Sequence, residues 1–152
     1  MKNSKDVGET REKKYLTEHL KILDNEAFGC WNKKFYFAAA VLYGALLEGY
    51  LLLWCLRNPG EIESALTKIK DKNILKKKPH SWKLDELLRV CVEAGVISRK
   101  DVDIGGRADY IKEARNLIHP GKKISKYKEY IFKEEGIRLL NAFANELTEK
   151  IR

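Results

Sequence analysis

The chain has 152 residues, 44% of them apolar, which is enough to bury the core of one ordinary domain and too little for several. Its 30 Lys and Arg against 22 Asp and Glu leave a net charge of +8, which favours polyanionic partners such as RNA or acidic proteins. Three scattered cysteines, Cys30, Cys55 and Cys91, with no CxxC pair and no secretory leader read before them, argue against a disulfide framework and fit reduced thiols in a cytoplasm.

Residues 1–9 are polar and aperiodic and read as a flexible basic N-terminal arm, with a single domain over 10–152. A first helix is expected from near Thr10, where Tyr15, Leu16, Leu20 and Leu23 recur at helical spacing; it either continues through Asp24 and Asn25 or restarts there on a cap. Residues 35–56 are the most apolar stretch, and as a helix they would run roughly 33 Å, enough to span a bilayer. Glu48 inside the run, Lys33, Lys34 and Arg57 on its flanks, and no second apolar span favour instead a buried central helix of a soluble bundle, with no membrane partner. Asn58-Pro59-Gly60 should stop it.

A short helix follows, with Ile62, Leu66 and Ile69 facing inward, and then a lysine-rich loop in which Lys76, Lys77 and Lys78 are either solvated or a guide for a phosphate backbone. Ser81 is expected to cap the next helix, which buries Leu84, Leu87, Leu88 and Cys91 and ends at Gly95; Ser98 and Asp101 have the spacing of a capping box. A late helix from about Arg107 to Ile118 should bury Ala108, Ile111, Ala114 and Ile118. A last helix should bury Ile131, Phe132, Ile137, Leu140, Phe143, Ala144 and Leu147. No period-two strand pattern stands out, so the fold class is all-α, an up-and-down bundle of four to six helices.

The chemistry concentrates in "EARNLIHPGKK", residues 113–123. Lys112, Arg115, Asn116 and His119 follow helical spacing and share one face, with Lys122 and Lys123 just beyond. Arginine and imidazole one turn apart suit RNA cleavage without a metal: His119 would move the 2′-hydroxyl or leaving-group proton, Arg115 would hold phosphate oxygens, and Asn116 would add a neutral donor or acceptor. The same residues also suit plain termination, since Pro120 ends a helix, Gly121 turns it and a histidine favours the C-terminal dipole. Glu48 lies beyond Ala40 and Gly44, four residues apart, so a neighbouring helix can approach along that strip; its carboxylate needs a cation, and Arg115 is the candidate. On that reading Glu48→Gln should cost stability or function as Arg115 loss does. His19, His80 and His119 are scattered, and Gly105-Gly106 lacks the lysine and strand of a phosphate loop, so no metal and no cofactor is expected.

In order and spacing, "AAAVLYGALLEGYLL", "SWKLDELLRVCVEAGVI" and "IKEARNLIHPGKK" resemble the HEPN superfamily over roughly residues 25–150, with Arg115, Asn116 and His119 on its Arg-Asn…His signature and Glu48 on its acidic position. The resemblance implies an up-and-down bundle that dimerises with two signatures facing each other. It also implies a metal-independent endoribonuclease of a toxin or defence system, with an antitoxin or a nucleotidyltransferase-type protein as partner. One departure matters: the family places four to six residues between Arg and His, and this chain has three, which turns the histidine by about 100°. Two readings stay open, an RNA-interacting protein with ribonuclease chemistry and a non-catalytic HEPN-like helical module for dimerisation and protein-partner binding.

Overall fold

The computed structural model of the chain describes residues 10–103, 106–116 and 133–152, and among them every regular element is helical. In chain order these are α1 (Arg11–Asn32), α2 (Tyr36–Arg57), α3 (Pro59–Lys68), α4 (Lys72–Leu75), a 3-10 turn (Pro79–Ser81), α5 (Leu84–Glu93), α6 (Arg99–Val102), α7 (Arg107–Asn116) and α8 (Glu134–Ile151). The architecture is an all-α bundle. The arm expected over 1–9, Ile118, His119, Lys122, Lys123, Ile131 and Phe132 lie outside the described residues.

The bundle forms around α2. Buried positions on α2 include Ala39, Ala40, Tyr43, Leu46, Leu47 and Leu51, and with Gly44, Leu53 and Cys55 they make one broad inward face of roughly 200°, wider than an ordinary amphipathic stripe. Helices α1, α8, α7 and α5 supply the cover. Each leucine removed fully from water contributes about 2 kcal/mol, so the central helix supplies a large share of the hydrophobic free energy. By length and composition α2 could also cross a membrane; half of its apolar window is buried against the other helices. Tyr43 is fully buried and its hydroxyl donates to Asn141 Oδ1 on α8 at 3.1 Å. Burial, with the nearby Asp24 charge adding to it, pushes the Tyr43 phenol up to about 12.

Helix α1 runs unbroken through Asp24 and Asn25 and returns antiparallel on α2. Leu20 and Ala27 are buried and Leu16 and Leu23 pack beside them, but Tyr15 is 71% exposed. Tyr15 sits 100° from Leu16 around the helix and so leaves the inward stripe; its ring stacks on His19. The α1–α2 turn closes with the Phe35 N–H donating to Cys30 O at 2.9 Å and the Lys34 N–H to Trp31 O at 2.8 Å, with Lys34 left-handed at φ 60°. This is a Schellman stop with a lysine where glycine is usual.

Asn58 ends α2, and Pro59 opens α3 at once, since a missing N–H costs nothing in the first turn. Ile62, Ala65 and Ile69 are buried while Leu66 is only half-buried, so Ala65 shares the inward stripe that the sequence gives to Leu66. The expected Ser81 cap is not made. Ser81 belongs to the 3-10 turn, and the start of α5 is closed by the Glu86 carboxylate, which accepts from the Lys83 N–H at 2.8 Å. Trp82 is buried between them, its indole N–H donating to Ile74 O at 3.1 Å, and that anchor moves the cap from Ser81 to Lys83, two residues on. Gly95, at φ 79°, ends α5 as expected, with the Val96 N–H returning to Cys91 O. Ser98 and Asp101 form their box at the start of α6.

The strip of small residues works as a docking line. A Cβ on Gly44 would stand 3.2 Å from Ala114 Cβ and 3.5 Å from Ile111 O, so α7 lies almost backbone to backbone on α2. Gly44→Ala should be close to neutral, because better helix propensity offsets the squeeze, whereas Gly44→Val should cost roughly 2 kcal/mol by urea unfolding.

Candidate functional site

Helix α7 buries Ala108, Ile111 and Ala114 completely, as their spacing predicts, and this sets Lys112, Arg115 and Asn116 towards the outside. The shared polar face is then divided between two neighbours. Arg115 Nη1 lies 3.4 Å from Glu48 Oε1 on α2, and Lys112 Nζ lies 2.6 Å from Asp85 Oδ1 on α5. The Glu48–Arg115 pair is therefore present. It leaves half of the arginine side chain open to solvent, while the carboxylate side chain is only 27% exposed.

The lysine run also divides. Lys76 and Lys78 are exposed, but Lys77 Nζ contacts both Glu86 carboxylate oxygens at 2.9 and 3.0 Å. The Lys77 hydrogen bond and the Lys83 N–H hold the Glu86 carboxyl below its ordinary value. Since Asp85 and Glu86 are consecutive, the first turn of α5 ties Lys112 of α7 and Lys77 of the basic run to one place. Lys76 and Lys78 flank that place in sequence.

Glu48 has a second environment. With His19 of α1 and His80 of the 3-10 turn it lines a cleft of about 240 Å³ floored by Leu20, Leu52 and Trp82. Burial raises the Glu48 carboxyl above its ordinary value, and Arg115 pulls it back only in part. No group of three metal-ligating side chains is brought together among the described residues.

The strongest ionic cluster was not read from the sequence. Arg107 Nε donates to Asp101 Oδ1 at 2.7 Å, Nη1 and Nη2 reach the Glu146 carboxylate on α8, and the guanidinium carbon stands 4.1 Å from the centre of the Phe143 ring. Burial pushes Asp101 up, but Arg107 and the Ser98 N–H outweigh it and leave the carboxyl below its ordinary value. Glu146 is lowered by Arg107 first. Gly106 permits the fold-back, because a Cβ there would run into the carbonyls of Lys100 and Asp101. The available signal was the Ser98–Asp101 box itself, which fixes an acid just before Gly106-Arg107. The cluster joins α6, α7 and α8, and so orients the helix that carries Arg115.

Comparison with family models, curated proteins and solved structures finds no match to this chain.

The two clusters respond oppositely to pH. Glu48 is harder to ionise folded than unfolded, so its charge costs stability once pH passes the unfolded value of about 4.3. Glu48→Gln should therefore melt at or above wild type at pH 7, the difference vanishing near pH of about 4 in thermal melts, an expectation opposite in sign to the one drawn from the sequence. Asp101 is easier to ionise folded, so its contribution is present above about pH 4 and fades as pH falls through its lowered value. Arg107→Met, which strands Asp101 at 8% exposure, should lose roughly 3 kcal/mol at pH 7 in urea titrations, with the gap narrowing below pH of about 4.

Proposed function

We propose that this chain is a HEPN-like RNA-interacting protein that docks RNA on the outer side of α7, with Arg115 as its phosphate contact. The observation that carries the reading is the Arg115–Glu48 pair. It steers a half-open guanidinium with an acid from the central helix and leaves donors free for a phosphate. Lys112 and Lys77, held at the first turn of α5 by Asp85 and Glu86, the exposed Lys76 and Lys78 on either side of Lys77 in sequence, and the +8 net charge supply the electrostatic attraction. His119, three residues after Asn116, would be the proton carrier of a metal-independent cleavage, with Lys122 and Lys123 as further phosphate contacts. A homodimer, an antitoxin or nucleotidyltransferase-type partner and a cytoplasmic setting belong to the same reading.

A second reading keeps the fold and drops turnover. Lys112 and Arg115 each pair with an acid on another helix, which is what a latch for α7 in a non-catalytic binding module would also look like. Incubating RNA in EDTA with wild type, Arg115→Ala and His119→Ala separates the two. The enzyme reading expects at least a hundredfold loss in both variants; equal traces from all three proteins would leave the module. RNA affinity should fall steeply between low and moderate salt, and a flat salt response would remove the RNA contact itself.

A further inference from the structure

The α1–α2 turn concentrates features that the α7 site does not use. Phe28, Phe35 and Phe37 are 52%, 59% and 39% exposed, all within about one helical turn of the same end of the hairpin. Lys33 and Lys34, both exposed, sit between them. Residues 27–47 contain no Asp or Glu, so the charge of this stretch is purely positive. Helix α8 runs parallel to α2, as Tyr43–Asn141 and Arg57–Ile151 contacts show, and so begins at the same end; there Glu134 is paired with Arg138 at 3.1 Å, beside Lys133 and Glu135.

Lys34 adds an independent mark. It is the one non-glycine residue with positive φ among those described, at the position of a Schellman stop that glycine adopts freely and a side chain adopts only under strain. A residue that strains the fold and projects a cation from the apex beside three exposed rings is better explained by a contact than by folding.

We propose that this turn is a docking tip for an anionic lipid bilayer, the three phenylalanines entering the headgroup boundary while Lys33 and Lys34 meet lipid phosphates. The chemistry favours a bilayer over a nucleic acid or a protein groove. Aromatic rings interleaved with lysines match the interface between headgroups and hydrocarbon, and a turn at the end of a helix hairpin is convex, which a deformable surface accepts. Phe28 and Trp31 meet edge to face with planes 89° apart, so they form no slot between parallel rings into which a base could slide. The contact is peripheral: α2 stays packed in the bundle, and only its first turn reaches the lipid. This departs from the sequence expectation of no membrane partner and does not depend on the RNA reading.

The test is co-sedimentation of the full chain with vesicles of phosphatidylcholine alone and of phosphatidylcholine with phosphatidylglycerol, at low and high salt. Binding should be confined to the anionic vesicles and weaken with salt. Lys33→Gln with Lys34→Gln should bind about 30-fold more weakly, and Phe28→Ser, Phe35→Ser and Phe37→Ser combined at least roughly tenfold more weakly. Lys34→Gly keeps the outcome readable if the phenylalanine variant misfolds: it should raise the melting temperature and yet weaken vesicle binding. Equal binding to both vesicle types, no binding to either, or unchanged binding by Lys34→Gly and the lysine pair would overturn the proposal. So would an RNA oligomer shift that the phenylalanine changes abolish while vesicle binding is absent, which would assign the tip to base stacking.

Discussion

An α-helix of 22 residues as apolar as α2 has no hydrophilic side to offer water, and the other helices are arranged to meet that demand. Helix α1 folds back on it, α8 runs alongside in parallel, and α7 and α5 cover further parts of it, while Ala45 stays exposed. Because the cover is shared among separate helices, each needs only one apolar stripe. The stripes on α1, α5, α7 and α8 are correspondingly narrow, with charged residues on their outer faces. The polar chemistry of the molecule is thereby pushed to seams where two covering helices meet.

Those seams use charge in two ways. Around Arg107 one cation satisfies two acids and caps an aromatic ring, so ionisation in the fold is favoured for Asp101 and Glu146. At Glu48 a single, longer contact with a half-open arginine leaves burial dominant, so ionisation is disfavoured. The first arrangement is what a structural clamp requires. The second leaves an acid and a guanidinium incompletely satisfied at a surface, which is the condition under which an anion, or a proton, finds something to do there.

Much of the bundle was legible before the structure, because burial writes itself as period. Leu84, Leu87, Leu88 and Cys91, or Ile137, Leu140, Phe143, Ala144 and Leu147, can face inward together only as helices, and they do. The Glu48–Arg115 pair was legible for a different reason: an acid in an apolar helix must find a cation, and the small residues at 40 and 44 told which side a neighbour would approach. What escaped depended on contacts distant in sequence. Trp82 anchors to Ile74 and so moves the start of α5 away from Ser81, and no local propensity for capping encodes that tether. Arg107 looked like one cation among 30 until α8 brought Glu146 and Phe143 to it. Tyr15 failed for the simplest reason, one residue of helical rotation.

The contact of Gly44 with Ala114 and the backbone of Ile111 has almost no side-chain atoms in it. Leucines at a helix crossing let two rods slide or roll by switching rotamers, whereas two nearly bare backbones have no such play. The seat under Arg115 therefore behaves as a fixed bearing one turn from Glu48. Adjustment of that surface over time has to come from the length and charge of the groups at its rim, since the spacing of the rods beneath them offers no compliance.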